Sequence, residues 1–489
     1  MKLTQVLEGV NYFNQAETLN HDITGLAYDS RKVEPGFLFV CISGFKTDGH
    51  LYAGQAIEKG AVVILAEKDP GGLPSGATLI LCPDTRQALA QVAANLYGHP
   101  TRSFRLIGVT GTNGKTTTTH LVQAILEEAG NKTGIMGTLY AKIGETSMEL
   151  GHTTPEAPDI EAFMHLCREN RADYVVMEVS SHALSLNRVA ELNFNVAVFT
   201  NLTQDHLDFH RDMIDYRDAK LKLFEGLEHQ AGNYSIINAD DTYAADMVRA
   251  AGPDTSTFGI KQPAAITARD LQVSQQGSRF TVVWEGGSFV VQMQLIGLFS
   301  VYNALAAIAL ALREEIPVNI IISALQKVDG VPGRFEQVQC GQNFTVVVDY
   351  AHTPDGLENI LKTARELTDK RLITVFGCGG DRDRKKRPLM GGIAAHYSDF
   401  SIVTSDNPRS EDPQAIINEI IPGLEKVENS RYAIIVDRRE AIRHAIFLAR
   451  EGDLVVIAGK GHETYQLVQG QVLDFDDRKV AAEFLKGTD

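Results

Sequence analysis

Apolar residues along this chain fall into two rhythms that take turns. Short unbroken apolar runs, such as Arg105–Val109, Tyr174–Val179 and Val196–Thr200, are separated by stretches with helical spacing such as His120–Ala129. Unbroken runs read as strands buried on both faces, and their alternation with helices implies a parallel sheet covered on both sides. Before them, Phe37–Val40 and Ala61–Ala66 read as buried strands, each entered from a turn or a glycine. A helix over Thr85–Leu96 follows, and Gly98-His99-Pro100 reads as a linker. Between about 265 and 298 the period drops to two, in Arg279–Trp284 and Phe289–Leu295, with Gly286-Gly287 between them as a hairpin turn. A helix over Val301–Arg313 comes next. Its stretch Ala304–Leu312 is the most apolar in the chain, too short for a bilayer, and reads as a buried helix. Val331-Pro332-Gly333-Arg334 marks a second boundary. Beyond it Phe344–Val348, Leu372–Phe376, Ser401–Thr404 and Leu454–Ala458 read as strands of another α/β unit.

The length of 489 residues fits about three domains. The expected division is an α/β chain with a small α/β domain over 1–98, a central parallel sheet over 99–331 and a last domain over 332–489. The net charge of −16 argues against a nucleic-acid-binding face, which needs a basic surface. Five cysteines, without a paired or zinc-like spacing, fit a reducing compartment. The first residues lack the apolar core of a signal peptide, so a cytoplasmic protein with no membrane partner is expected.

Chemistry enters with Gly108-Val-Thr-Gly-Thr-Asn-Gly-Lys115-Thr116-Thr117, which follows a strand and opens a helix. That is the context of a phosphate loop. Backbone N–H groups of Gly111, Thr112, Asn113 and Gly114 converge on phosphate oxygens, and the helix N-terminus adds partial positive charge. Lys115 reaches the terminal phosphates, Thr116 offers a hydroxyl to Mg²⁺, and Thr117 continues the cradle. Position 109 is valine where the strict pattern has glycine.

This departure, and a series of motifs in order, make the chain similar to the Mur ligases and their folylpolyglutamate synthase relatives. The motifs are Tyr28-Asp-Ser-Arg31, His152-Thr-Thr-Pro155, Glu178-Val-Ser-Ser-His182, Asn201-Leu-Thr-Gln-Asp-His206 and Tyr216-Arg-Asp-Ala-Lys220. They continue with Asn303, Gly333-Arg-Phe-Glu336, Asp349-Tyr-Ala-His-Thr-Pro-Asp355, Asp406-Asn-Pro-Arg409 and Gly459-Lys-Gly-His-Glu463. The resemblance implies a UDP-binding domain, a phosphate-loop ATPase-type domain and a Rossmann-like domain for an incoming amino acid. It implies that ATP phosphorylates the D-glutamate side chain of UDP-MurNAc-L-Ala-D-Glu and that an amine displaces the phosphate, as in peptidoglycan precursor synthesis. ATP and Mg²⁺ are the implied cofactors, and a monomer is expected.

Site residues follow from the same resemblance. Lys115, Glu178, His206 and Lys220 are the expected catalytic residues, with Thr116, Glu178 and His206 at the metal. Lys220 is expected to be carbamylated by CO₂. Asn303, Arg334 and Asp349 match outer ATP contacts. Ser30, Lys46, Thr47 and Asp48, with Thr153, Thr154, Ser180 and Arg188, match the UDP-MurNAc-peptide contacts. Leu186-Asn187 stands where relatives often have Gln-His, which removes one expected contact. Asp406, Asn407, Pro408 and Arg409 resemble the motif of ligases that add meso-diaminopimelate. An Arg fork suits its second carboxylate, which lysine lacks. Arg387, Gly459 and Glu463 complete that expected set, and the rest of the basic run Arg382–Arg387 reads as a solvated loop. The alternatives are another Mur-type ligase, a lysine-adding one, or a phosphate-loop switch ATPase.

Overall fold

The computed structural model describes residues 1–13, 21–44, 47–74, 77–148, 150–227 and 232–487. It divides into two compact units, Met1–Phe258 and Gly259–Asp489.

The first unit opens with a parallel sheet in the order β1 (Gly25–Ala27), β2 (Phe37–Val40), β3 (Val63–Ala66), β4 (Thr78–Leu81). β2 and β3 are the two strands expected there, and the second starts at Val63 rather than Ala61. A helix over Thr85–Tyr97 closes this sheet. Asp84 caps it by accepting from Arg86 N and Gln87 N, and Gly98 ends it at φ 69°. A left-handed terminal glycine relieves the steric cost that any side chain would add there.

The larger sheet contains β5 (Arg105–Thr110), β6 (Thr133–Met136), β7 (Ala141–Ile143), β8 (Thr146–Met148), β9 (Tyr174–Glu178), β10 (Val196–Phe199), β11 (Tyr234–Asn238) and β12 (Thr255–Gly259). Their order is β12-β11-β10-β5-β9-β6-β7-β8. Pairing is parallel from β12 to β6 and antiparallel through β7 and β8. Leu106, Val175, Met177, Ala197, Phe199 and Ile237 belong to one core cluster on a face of this sheet. The helix after β5 begins at Lys115, a turn and a half before the expected His120, because the threonines that follow the loop are buried in it.

In the second unit β13 (Ile266–Ser274), β14 (Gly277–Trp284) and β15 (Gly287–Met293) form the expected antiparallel segment. The helix Leu298–Arg313 follows, and its Val301 and Asn303–Ala311 positions are all buried. The last sheet runs β16 (Glu336–Gln337), β17 (Thr345–Asp349), β21 (Leu454–Ala458), β18 (Leu372–Phe376), β19 (Phe400–Val403), β20 (Tyr432–Ile434). It is parallel except at β16. Period two is visible in its packing. Val347, Phe376, Val403 and Val456 join one core, while Val346, Val348, Val375, Ile402 and Val455 join the other. Helices Pro354–Glu366, Lys386–Tyr397 and Pro413–Glu425 contribute to the first, and Arg438–Leu448 and Asp477–Lys486 to the second. A hairpin of β22 (Tyr465–Val468) and β23 (Gln471–Asp474) follows β21. Among the described residues no helix is long and apolar enough to cross a membrane.

Candidate active site

In an open parallel sheet, ligands bind beyond the carboxyl ends of the strands. The first unit has its polar cluster there. β5 ends at Thr110 and enters the loop 111–114. Gly111 sits at φ 151°, and a Cβ on it would lie 1.9 Å from Thr200 Oγ1, so only glycine lets the loop pass the end of β10. Asn113 N donates to Asn201 Oδ1 (2.9 Å) and Thr200 Oγ1 donates to Asn113 O (2.6 Å), which fixes the loop on the β10 side. Thr112 Oγ1 lies 3.1 Å from Tyr216 Oη. Lys115 Nζ folds back to donate to Gly111 O (2.9 Å) and Thr112 O (2.7 Å).

Glu178 ends β9, beside Val109 of β5 in register. It is buried, and its Oε2 accepts from Thr116 Oγ1 (3.1 Å) and Thr138 Oγ1 (3.1 Å), while Oε1 accepts from Thr138 N (2.8 Å). Carboxylate and hydroxyl oxygens side by side form the hard donor set that Mg²⁺ takes. Thr153 Oγ1 is 3.0 Å from Thr138 Oγ1, Thr154 Oγ1 donates to Glu178 O (2.9 Å), and Ser180 N donates to Thr154 Oγ1 (3.1 Å). Arg188 Nη1 donates to Thr154 O (2.9 Å), and Nη2 pairs with Glu156 (2.8 Å). Thus Thr116, Thr153, Thr154, Glu178, Ser180 and Arg188 form one connected network.

Lys220 lies in the helix Met213–Glu225, is 1% exposed, and donates from Nζ to Gly111 O (2.9 Å) with its ammonium over the Tyr216 ring. Burial, then the Lys115 charge, holds its pKa well below the usual lysine range. His206, at φ 55°, packs edge-on against His182 and Tyr216. Burial lowers its pKa, and Lys115 and Lys220 lower it further. His182 is pushed down to about 4 by burial and by His206 and His210. His182, His210 and Thr138 were not singled out from the sequence. His182 stood at the end of a quoted motif, and Thr138 carried no motif at all.

In the N-terminal sheet Ser30 Oγ donates to Gln55 Oε1 (2.7 Å), and Thr47 Oγ1 donates to Tyr52 Oη (3.2 Å). Lys46 lies outside the described residues. Asp48 is held within the N-terminal sheet's loops. Lys68 and His50 hold both of its oxygens, so its pKa is well below the usual range and it caps the turn Gly49–Tyr52.

The second unit places its polar residues beyond β17, β18, β19 and β21. Asp349 ends β17 and accepts from Phe335 N (2.6 Å) and Ala351 N (2.8 Å), holding the turn that carries Arg334. The Arg334 guanidinium lies over the Tyr350 ring, 5.2 Å from its centroid. Asn303 is buried in its helix.

Beyond β19, Asp406 accepts from Asn407 N (2.6 Å) through Oδ1, while Oδ2 is buried without a donor and faces Gly459. A Cβ at position 459 would sit 2.5 Å from that oxygen, at φ 116°. Asn407 Nδ2 donates to Glu463 Oε2 (2.8 Å). Pro408 is buried, and its carbonyl would lie 1.9 Å from a Cβ on Gly380. Arg409, half-buried at φ 53°, donates from Nη1 to Gly380 O (2.9 Å) and Asn407 O (3.4 Å). Its backbone is clamped by the hairpin, with Arg409 N on Leu467 O and Gln469 N on Arg409 O. Arg438 and Asp477, both fully buried, pair at 2.7 Å, and Arg438 Nη2 also donates to Ala458 O (2.9 Å).

Arg387, expected at the amino-acid site, opens the helix Lys386–Tyr397. It is fully buried, and its two terminal nitrogens are held by Glu411 (2.8 and 3.0 Å) and Glu419 (2.8 Å). Arg387 Nη2 also donates to Gly379 O (3.3 Å), while Nε is buried with no hydrogen-bond partner among the described residues. Its work is to fasten Glu411, whose pKa it lowers to about 2 and which accepts from Asp381 N (2.6 Å). Arg382, expected to be a solvated loop residue, is the exposed cation that shares Gly379 with Arg409 Nη1.

The chain is similar to known proteins over its whole length. Residues 22–97 match the catalytic domain described for the Mur ligase family, 109–311 the Mur ligase middle domain, and 333–461 the Mur ligase glutamate ligase domain. A UDP-N-acetylmuramoyl-L-alanyl-D-glutamate–2,6-diaminopimelate ligase of Syntrophomonas wolfei subsp. wolfei is 65% identical over 489 residues, 100% of this chain and 99% of that one. The same-named ligase of Caldanaerobacter subterraneus subsp. tengcongensis is 47% identical, covering 99% of each. A solved structure with that ligase name superposes with a TM-score of 0.70 at 33% identity, covering 100% of this chain and 99% of the other. With the phosphate loop, the Glu178 network and full-length similarity in agreement, this chain belongs to the Mur ligase family of ATP-dependent ligases.

Proposed function

We propose that this enzyme adds meso-diaminopimelate to the D-glutamate side-chain carboxylate of UDP-MurNAc-L-Ala-D-Glu, a step of peptidoglycan precursor synthesis in the cytoplasm, acting as a monomer. The observation that carries this reading is the segment Asp406–Arg409. The Nη2 and Nε edge of Arg409 makes no hydrogen bond among the described residues, so one full side of the fork is open to a carboxylate. Asp406 Oδ2 and the Glu463 carboxylate supply negative charge for ammonium groups nearby in the same loop cluster. Diaminopimelate carries a carboxylate and an ammonium at each end, whereas lysine lacks the second carboxylate and would leave Arg409 unpaired.

The chemistry follows from bringing anions together. The glutamate carboxylate oxygen attacks the γ-phosphorus of ATP, and the bond to the bridging oxygen breaks to release ADP. The amine of the incoming amino acid, having lost its proton, attacks the acyl carbon, and inorganic phosphate leaves. The loop 111–114 and Lys115 bind and orient the triphosphate, which lowers the cost of the developing charge. Thr117, buried in the first turn of the next helix, keeps that turn packed. Thr116 and Glu178 would hold Mg²⁺, with His206 as a neutral imidazole donor. The ion, when bound, shields the repulsion between carboxylate and phosphate. Asn303, Arg334 and Asp349 would complete the nucleotide site, the last by holding the turn of Arg334. Ser30, Thr47, Thr153, Thr154, Ser180 and Arg188 would hold the UDP-MurNAc-peptide. Lys220 would carry a carbamate that orients the phosphate or the metal.

A coupled phosphate-release assay tests the reading. Turnover is expected only with ATP, the UDP-muramyl dipeptide and diaminopimelate together. Arg409→Ala should lose roughly 100-fold in kcat/KM for diaminopimelate, the range of a lost charge-assisted hydrogen-bond pair. Phosphate release without an amino acid would point instead to a switch ATPase, and an unchanged preference over lysine in Arg409→Ala would reject the specificity argument.

A further inference from the structure

Lys460 stands in the turn between β21 and the hairpin, and neither its position nor its neighbours suggest direct contact with a substrate. Its side chain is completely buried. Nζ donates to Glu463 Oε2 (3.0 Å) and to Asn407 Oδ1 (3.2 Å), and the ammonium lies over the Tyr465 ring, 5.5 Å from its centroid. Asn407 Oδ1 accepts a second bond from Leu467 N (2.9 Å), and Asn407 Nδ2 donates to the same Glu463 Oε2 (2.8 Å). Lys460, Asn407 and Glu463 therefore close a triangle, and the bonds recorded to the Glu463 carboxylate all fall on one oxygen.

We propose that Lys460 is a positioning residue for the amino-acid site, and this rests on the reading of that site given above. An ammonium has donors only, so it forces the amide of Asn407 to face it with oxygen. That orientation turns Nδ2 towards Glu463 and holds Glu463 by Oε2, leaving Oε1 for the ammonium of the incoming amino acid. It also compensates the charge of the half-buried Glu463, together with the buried Arg438. Without Lys460 the amide oxygen keeps only the Leu467 N–H, and Glu463 Oε2 loses its charged donor and keeps only Asn407 Nδ2.

The test compares Lys460→Met, which keeps the length of the stem, and Lys460→Gln, which keeps one donor, in the full-length enzyme. Loss of an ordered charged hydrogen bond predicts a KM for diaminopimelate raised roughly 10- to 100-fold in the Met variant and less in the Gln variant. The KM values for ATP and for the UDP-muramyl dipeptide should stay within about twofold, since neither ligand meets this triangle. An unchanged KM for diaminopimelate, or three KM values rising together, overturns the proposal. Should the Met variant not fold, the Gln variant decides by the same comparison. A wild-type enzyme that turns over only with another amino acid overturns the substrate reading instead, and the same KM comparison with that amino acid then decides on Lys460.

Discussion

Lys220 shows what the surroundings of a single side chain add to its neighbours in sequence. A lysine within a charged helix is ordinarily a solvated residue, and only its frame behind Tyr216 distinguished it from Lys222. The structure supplies a physical ground. Burial first, and the Lys115 charge second, lower the pKa, which favours the neutral amine with its lone pair. Such an amine attacks CO₂, loses a proton and becomes a carbamate, an anion with two oxygens in place of a cation. Isotopically labelled bicarbonate should therefore give a carbamate carbon signal in the native enzyme that disappears in Lys220→Ala, with kcat falling roughly 100-fold or more, as for other groups that act on the transferring phosphate. Acidification protonates the amine and should remove the signal. Full activity in Lys220→Ala would sink the idea. Arg387 is a cation of another kind, fully buried and paired with Glu411 and Glu419.

At the scale of elements, strands were legible where both faces are buried. β5, β9, β10, β18 and β21 are unbroken apolar runs because helices or neighbouring strands cover both sides. β7, β8, β22 and β23 left little trace, since they are short and β23 is exposed along its length. The start of the helix at Lys115 was missed for another reason. Four threonines have low helix propensity, and packing of their side chains against the sheet overrides it. The helix Ala157–Glu169 carries a feature with a consequence for stability. Glu161 is 2% exposed, its Oε2 has no hydrogen-bond partner, and burial, then Glu191, raises its pKa to about 8. The folded chain therefore keeps a proton that the unfolded chain has released between about pH 4.5 and about pH 8. Stability contributed by this group is full below that window and is lost as pH rises through it. Glu161→Gln should remove the dependence, gaining about 1–3 kcal/mol over wild type near pH 8 and little near pH 5. Thermal unfolding across that range measures it, and parallel curves for the two proteins would refute it.

For the whole molecule, the sequence marked both polar clusters because each rests on short loops. The proposed phosphate cradle is 111–117 and the proposed amino-acid cluster is 406–409 with 459–463, and short-range strings of this kind are legible in sequence. What the strings conceal is which residue meets which. Thr138 joins Glu178 from forty residues away, and the hairpin clamps Arg409 from sixty. Such pairings are set by the order of strands, which no local pattern states. The two clusters lie in different compact units, so each ligand should leave its mark on one unit when bound alone. Amide hydrogen exchange of the intact enzyme measures this directly. A non-hydrolysable ATP analogue should slow exchange in 111–117, where backbone N–H groups bond to phosphate. Diaminopimelate alone should slow exchange in 403–409 and 459–468, because ordering Arg409 and Glu463 against a ligand stiffens the loop and the hairpin that clamp them. Protection of 111–117 by diaminopimelate, with 403–409 unaffected, would place the amino acid in the wrong unit and overturn the assignment of the Asp406–Arg409 segment.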